Sequence, residues 1–197
     1  YVDGNVLRLQ FCESGYLKHI EPDHKNLVVE IPADCKIEIN NVSATMNFNE
    51  TNAKEIELNS VSGDVKADSL IVEGKIEINT TSGNVGVSKV VADKFDYNTV
   101  SGDLVIPEFF ADKLTMASVR GDMNISVGEI NKIDFDTTSG NGVIDIPDDS
   151  GLTLNKSTLS GNVKSNLEYS KNGDTFVFGN GEIKVSFNSV SGDISIK

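Results

Sequence analysis

Residues 100–104 read Val100-Ser101-Gly102-Asp103-Leu104, and close copies of this stretch recur along most of the chain. The shared element is Ser-Gly-Asp or Ser-Gly-Asn between apolar residues, with Arg120 replacing the serine in one copy. The glycines of the seven copies are Gly63, Gly83, Gly102, Gly121, Gly140, Gly161 and Gly192. Their spacings are 20, 19, 19, 19, 21 and 31 residues. Self-similarity at a fixed period of this length indicates a solenoid.

Each repeat also contains an alternating stretch upstream of the motif, such as Ile56-Glu57-Leu58, followed by a polar pair such as Asn59-Ser60. Alternation of apolar and polar residues predicts half-buried strands. Asn and Ser favour turns, so we place the corner between two strands at this pair. This placement predicts that Val61, Gly63 and Val65 face inward, while Ser62 and Asp64 face outward.

Aligning the repeats predicts two inward columns of stacked side chains. One column is Val61, Thr81, Val100, Val119, Thr138, Leu159 and Val190, and the other is Val65, Val85, Leu104, Met123, Val163 and Ile194. The motif glycine is required either because a side chain would not fit or because the strand bends with a positive φ. The sequence leaves both explanations open.

The predicted fold is all-β: a single-stranded β-helix or β-solenoid of about eight coils, counting a degenerate copy around Ala44. We divide the chain into an N-terminal strand or capping segment, residues 1–36, and a solenoid, residues 37–197, within one structural domain. A hairpin insertion is predicted at about 166–182, because Asn172-Gly173 separates strand-like runs. Since the last motif copy ends at the C-terminus, we expect this hairpin to cover the last coil and to bury Tyr169, Phe176 and Phe178 at least in part.

Composition limits the possible partners. The chain has 17 basic and 30 acidic residues and a formal charge of −13. Nucleic acids and anionic membranes would be repelled by such a chain, so we expect neither as a direct partner. Cys12 and Cys35 could form one disulfide in an exported protein, or Cys35 could be a core residue that shares parity with Ile37. The chain starts at Tyr1, so we expect an upstream segment to have been removed.

These features resemble the bacterial toast-rack family of β-strand-repeat domains, which is also described as an adhesin family. The resemblance rests on the repeated Ser-Gly-Asp/Asn-Val and on the entry from Leu27 to Asp34, and it covers the chain from about Leu27 to its end. It implies a non-enzymatic role at the cell surface or cell envelope and an extracytoplasmic location, with an anchor outside these 197 residues. It supplies no functional residues.

The candidate site is the outward polar ladder of the motif. Its members are Ser62, Asp64, Ser82, Asn84, Ser101, Asp103, Arg120, Asp122, Ser139, Asn141, Ser160, Asn162, Ser191 and Asp193. Such a ladder could bind the hydroxyl groups of a glycan. The mixture of Asp and Asn is also what a structural ladder needs to relieve repulsion between stacked acids. Calcium requires six to eight converging oxygens, and three of the seven Asp/Asn positions are neutral amides, so we expect no metal or other cofactor.

Other constellations are weaker. Arg120-Gly121-Asp122 matches the tripeptide that integrins recognise, but the alignment shows it to be the repeat motif with one substitution. His19 and His24 lie outside any Cys/His signature. Acidic residues are plentiful, yet no local motif marks a catalytic pair of carboxylates. We therefore predict no enzymatic activity.

Three functions are compatible with the sequence. The first is a cell-envelope or cell-surface interaction domain, an adhesin that binds a protein or glycan partner. The second is an extracytoplasmic scaffold or sensor module of an envelope-stress system. The third, a polysaccharide-active enzyme, is the least supported, because the chain has only two arginines and no acidic cluster beside either.

Overall fold

The computed structural model describes residues 27–197 and two short strands nearer the N-terminus. Strand makes up 65% of the structure, and the described residues contain no helix. The strands are β1 (Val2–Asp3), β2 (Val6–Leu7), β3 (Cys35–Asn40), β4 (Met46–Ser60), β5 (Val65–Val72), β6 (Lys75–Thr80), β7 (Val85–Asn98), β8 (Leu104–Ser118), β9 (Met123–Thr137), β10 (Gly142–Asp145), β11 (Leu152–Thr158), β12 (Val163–Ser165), β13 (Tyr169–Asn172), β14 (Thr175–Phe178), β15 (Ile183–Ser189) and β16 (Ile194–Ile196).

Two compact units are distinguished, Tyr1–Ile31 and Pro32–Lys197. In the first unit β1 pairs antiparallel with β2. Most of the predicted capping segment, residues 1–36, lies outside the described residues, so its capping role stays a prediction. The same holds for the proposed bridge, because Cys12 lies outside them; Cys35 is half-buried against the hydrophobic core of the second unit.

The second unit is a β-solenoid whose strands stack in parallel, as the repeat predicts. One ladder joins residues that precede the motif, in the spatial order Ile37, Ile56, Ile76, Phe95, Leu114, Ile133, Val185 and Leu154. A second ladder joins residues that follow the motif glycine, in the order Met46, Val65, Val85, Leu104, Met123, Gly142, Ile194 and Val163. The side chains between the ladders form one continuous hydrophobic core.

The solenoid has about six turns rather than the eight that counting motif copies predicts. In addition, the last two copies are not successive turns of the stack. Strands β15 and β16 enter the sheet between β9 and β10 on one side and β11 and β12 on the other. The C-terminal strands therefore lie inside the stack, and β11 and β12 form its end.

One of the two predicted inward columns is confirmed. The side chains of Val65, Val85, Leu104, Met123 and Ile194 are buried, and Val163, in the end coil, is partly buried. The other column is wrong: Val61, Val100 and Val190 are about half exposed, at 50%, 48% and 50%, and Leu159 is 88% exposed. Val119, Thr81 and Thr138 are also exposed.

The corner explains this error. Alternation continues past Leu58 to Ser60, which is buried, and the chain then turns at Val61-Ser62, where both side chains point outward. Ser60 fits the interior because its Oγ accepts a hydrogen bond from the N–H of Gly63 at 2.9 Å. Thr80, Thr99, Ser118 and Thr137 make the same bond to the glycines of their own turns.

The motif glycine is required by close approach of main chains. A Cβ at Gly83 would lie 2.1 Å from the carbonyl oxygen of Gly63, and one at Gly102 would lie 2.0 Å from that of Gly83. Positive φ angles among the described glycines occur instead at Gly173, Gly179 and Gly181. The structure thus selects the first of the two explanations, a lack of room.

The predicted hairpin is present. Strands β13 and β14 pair antiparallel around Gly173, and β14 continues antiparallel onto β11. Phe176 and Phe178 are buried, whereas Tyr169 is 46% exposed and packs against both rings, with centroids 5.5 and 5.2 Å away. The hairpin covers an end of the solenoid, but that end is β11 and not the C-terminal motif copy.

Candidate functional site

The acidic and amide members of the predicted ladder form a continuous hydrogen-bonded staircase. The N–H of each residue donates to the side-chain Oδ1 of its neighbour: Asn84 to Asp64, Asp103 to Asn84 and Asp122 to Asp103, each at 2.9 Å. The staircase continues through Asn141 and Asp193 to Asn162, with distances of 2.7, 3.0 and 2.8 Å. In each acceptor side chain, one oxygen atom is therefore hydrogen-bonded to the next turn.

The remaining ladder members lie on the corner beside the staircase. Ser62 and Ser139 donate their hydroxyl protons to carbonyl oxygens of the preceding turn, those of Val42 and Val119. Ser82 donates weakly to Val61, at 3.5 Å. Ser101, Ser160, Ser191 and Arg120 are exposed along the same line. The structure thus brings the predicted ladder residues together. Most of their described hydrogen bonds connect one turn of the solenoid with the next.

Lys164 adds an ion pair at the end of the staircase. Its Nζ lies 2.5 Å from Oδ2 of Asp193. The hydrogen bond from Lys164, helped by the N–H of Asn162, lowers the pKa of Asp193. Lys164 is largely exposed and Asp193 is partly exposed, so the pair contributes little to stability.

A second row of stacked polar side chains lies on the other side of the corner. We call Asn40, Asn59, Asn79 and Asn98 the asparagine row. The Nδ2 groups of Asn59, Asn79 and Asn98 each donate to Oδ1 of the preceding asparagine, at 3.0, 3.0 and 2.9 Å. Asn59 and Asn79 donate a second bond to Glu57 and Glu77, at 3.2 and 3.1 Å.

Between the asparagine row and the staircase runs a line of exposed, mostly aliphatic side chains. We call this line the corner ridge; in spatial order it is Val42, Val61, Thr81, Val100, Val119, Thr138, Val190 and Leu159. Exposed aliphatic groups are ordinary when scattered, whereas a contiguous line of them is a candidate interaction surface.

The asparagine row and the corner ridge together border a shallow groove of about 490 Å³, which we call the asparagine groove. Its lining is Asn40, Asn41, Asn59, Ser60, Val61, Asn79, Thr80, Thr81, Asn98, Thr99 and Val100. No lining residue is charged, although 24% of the chain is Asp, Glu, Lys or Arg. The groove therefore offers amides, hydroxyls and aliphatic groups only.

Paired charges lie outside the asparagine row. Lys75 Nζ is 2.6 Å from Glu77 Oε2 and 2.8 Å from Asp96 Oδ2, and Lys36 Nζ is 3.8 Å from Glu57 Oε2. Hydrogen bonds to Asp96 and Glu77 raise the pKa of Lys75, and those from Lys75 and Asn79 lower the pKa of Glu77. Glu57, Glu77 and Asp96 thus already form ion pairs with lysines on the same face of the solenoid.

Beneath the groove, Tyr97 fills the core next to the glycine column. Its ring is fully buried, and its hydroxyl donates to the carbonyl oxygen of Gly83 at 2.7 Å. Burial raises the pKa of the Tyr97 hydroxyl, so the group stays neutral. Tyr97 is therefore a structural residue that fixes the neighbouring turns on which the asparagines stand.

The sequence profile of the Toastrack DUF4097 family matches residues 12–197. The chain belongs to this family. The family resemblance inferred from the repeat motif is thereby confirmed, together with the solenoid-like β-structure. Comparison with curated proteins and with solved structures gave no match.

In the described part of this Toastrack domain, no group of three or more His, Cys, Asp and Glu residues is placed to hold a metal ion. The same residues form no helix long and apolar enough to cross a membrane. His19 and His24 lie outside the described residues.

The asparagine groove of this Toastrack domain was not predicted from its sequence. A corner at Asn59-Ser60 would turn Val61 inward, and the groove would then lack one wall. The available signal was the recurrence of Asn at 40, 59, 79 and 98, at the same interval as the glycines.

Proposed function

We propose that this Toastrack domain is a non-enzymatic interaction domain of the cell envelope or cell surface, an adhesin that binds a protein or glycan partner along the asparagine groove. The observation that carries the proposal is the groove's repetition: an amide and an exposed aliphatic or threonine side chain recur on successive turns. A surface that repeats with every turn suits an elongated partner, because each added turn supplies the same contacts again. Amide, hydroxyl and aliphatic lining groups are suited to hydrogen bonds and apolar contacts, and this supports an interaction role.

Co-sedimentation with isolated bacterial envelopes tests this proposal. We expect the purified domain to sediment with envelopes, and the double variant Val61→Glu/Val100→Glu to remain in solution. The matched control is Val105→Glu, because Val105 is 47% exposed, like Val100 at 48%, but does not line the groove. Equal sedimentation of the parent and the double variant, or no sedimentation of the parent, would refute the proposal.

The second candidate, an extracytoplasmic scaffold or sensor module of an envelope-stress system, is favoured by the staircase. Its side chains bond one turn to the next. Such bonds would stiffen a spacer, whereas a binding surface does not need them. Deleting residues 104–122 removes one turn that does not line the groove and joins Asp103 to Met123 in the existing register. A scaffold predicts that this deletion changes an envelope-stress reporter while the groove variants leave it unchanged; the opposite pattern favours the adhesin.

A further inference from the structure

We infer that the asparagine groove takes an uncharged, hydroxyl-rich polysaccharide chain lying parallel to the solenoid axis, an inference that rests on the groove being the binding surface proposed above. The position of charges is the first argument. The chain carries a formal charge of −13, yet none of the eleven lining residues is charged. An anionic polymer would be repelled by the acidic protein.

A cationic partner is disfavoured by the pairing of the nearest acids. Glu57 and Glu77 accept hydrogen bonds from the asparagine row and lie 3.8 and 2.6 Å from Lys36 and Lys75. A basic ligand would have to displace these lysines before it could pair with the carboxylates. A neutral ligand meets no such competition.

The hydrogen-bond inventory specifies what the ligand must present. An amide nitrogen has two protons, and those of Asn59 and Asn79 are both used, one toward the preceding asparagine and one toward a glutamate. Each Oδ1 accepts one bond from the next asparagine and keeps one lone pair free. The row therefore offers a line of acceptors, and hydroxyl groups are neutral donors that match it.

The repeat distance separates a glycan from a peptide. Neighbouring strands lie about 4.8 Å apart, so acceptors and ridge side chains recur at about that interval. This is close to the length of one sugar ring in an extended β-linked chain, so each turn can meet one ring, with its hydroxyls toward the amide and its C–H groups toward the ridge. An extended peptide advances about 3.3 Å per residue and points to one side about every 6.6 Å, which does not match the turn spacing.

Titration calorimetry with defined probes tests the inference. We expect cellohexaose or chitohexaose, whose β-1,4 linkages give an extended chain, to bind the intact domain at least tenfold more tightly than polygalacturonate or hexalysine. Val61→Glu/Val100→Glu should weaken that binding at least tenfold, and Val105→Glu should leave it within twofold. Asn59→Leu/Asn79→Leu should also abolish binding, and melting curves will show whether that variant is folded; the ridge variants keep the test decisive, because they alter exposed side chains only.

The outcomes separate this inference from the proposed function. If the neutral hexasaccharides do not bind while envelopes still retain the parent and release the ridge variant, the polysaccharide inference is overturned and the interaction function stands. Preferential binding of polygalacturonate or hexalysine in the groove overturns it as well. If envelope retention is also insensitive to the ridge variant, both proposals fail.

Discussion

Gly161 and Gly192 lie in direct main-chain contact although 31 residues separate them: an added Cβ at Gly161 would be 2.0 Å from the carbonyl oxygen of Gly192. Gly192 in turn lies against Gly140, where the corresponding distance is 2.1 Å. The last motif copy therefore sits between the two copies that precede it in sequence. The hairpin makes this arrangement possible. The chain first pairs antiparallel with one edge of β11 as β14, and it then runs parallel to the other edge of β11 as β15.

Deletion of residues 183–197 tests the intercalated order. In the described structure β12 pairs only with β16, and β11 pairs only with β14 and β15, so the deletion cuts both off from the rest of the solenoid. We expect amide hydrogens of residues 152–178 to exchange rapidly while those of residues 56–98 stay protected. Retained protection at 152–158 would mean that β11 can stack directly on β9, contrary to this expectation.

The glycine column should tolerate no side chain. Gly102→Ala places a methyl group 2.0 Å from the Gly83 carbonyl oxygen and 2.2 Å from the Tyr97 hydroxyl, so we expect a loss of at least about 3 kcal/mol in the free energy of unfolding. Gly86→Ala is the matched control, since nothing lies within 4 Å of the added atom. It should be neutral or stabilising by up to about 1 kcal/mol. Urea denaturation of both variants measures the difference, and similar losses would contradict the close approach.

Leu104 and Val100 should respond differently to the same substitution. Leu104 is fully buried, so Leu104→Asp leaves an unpaired charge in the core and should cost on the order of 4 kcal/mol or more. Val100 is 48% exposed on the corner ridge, and Val100→Asp should cost less than about 1 kcal/mol. Thermal melting compares the two. A large loss for Val100→Asp would restore the inward position that the sequence alone predicted.

The staircase predicts that Asp103 matters as an acceptor and not as a charge. Its Oδ1 accepts the N–H of Asp122 at 2.9 Å, and an asparagine keeps that oxygen. We expect Asp103→Asn to change the free energy of unfolding by well under 1 kcal/mol and Asp103→Ala to lower it by about 1 kcal/mol. Chemical denaturation of the two variants side by side is the measurement; equal losses would show that the carboxylate charge is what stabilises this position.

Acid should weaken the solenoid partly through Asp134. Burial acts to raise the pKa of Asp134, but hydrogen bonds from Lys132 and Lys113, with Nζ–Oδ2 distances of 2.9 and 3.1 Å, outweigh it and lower the pKa. A carboxylate with a lowered pKa stabilises the fold above its unfolded pKa of about 3.9, and that contribution disappears as the pH falls through the lower folded value. Between roughly pH 5 and roughly pH 2.5, urea midpoints of the parent should therefore fall more than those of Asp134→Asn. Parallel pH profiles would contradict the ion-pair assignment.

The features that the sequence predicted correctly are those that each repeat carries within itself. The recurrence of Gly63, Gly83 and their equivalents sets the period, and alternation around Val65 and Leu104 sets the inward face, because both depend only on neighbouring residues. Gly173 likewise marks the hairpin, since a two-residue turn with a positive φ requires a particular residue type.

The residues around the corner do not by themselves determine where the chain turns. Turning at Asn59-Ser60 or at Val61-Ser62 satisfies the same alternation, and only the packed structure shows Ser60 inside, bonded to the N–H of Gly63, with Val61 outside. The corner lies two residues later than the sequence predicts. The column that contains Val61 and Val100 is therefore on the surface, where it forms one wall of the asparagine groove.

The order of the last two turns also depended on the tertiary structure. Every copy of the motif offers a glycine followed by an Asp or Asn acceptor, so the motif alone does not determine whether Gly140 stacks on Gly161 or on Gly192. The chain alone determined that these turns stack. Which turn lies at the end was decided by the hairpin, because the burial of Phe176 and Phe178 against β11 covers that strand and leaves the C-terminal strands to fill the interior position.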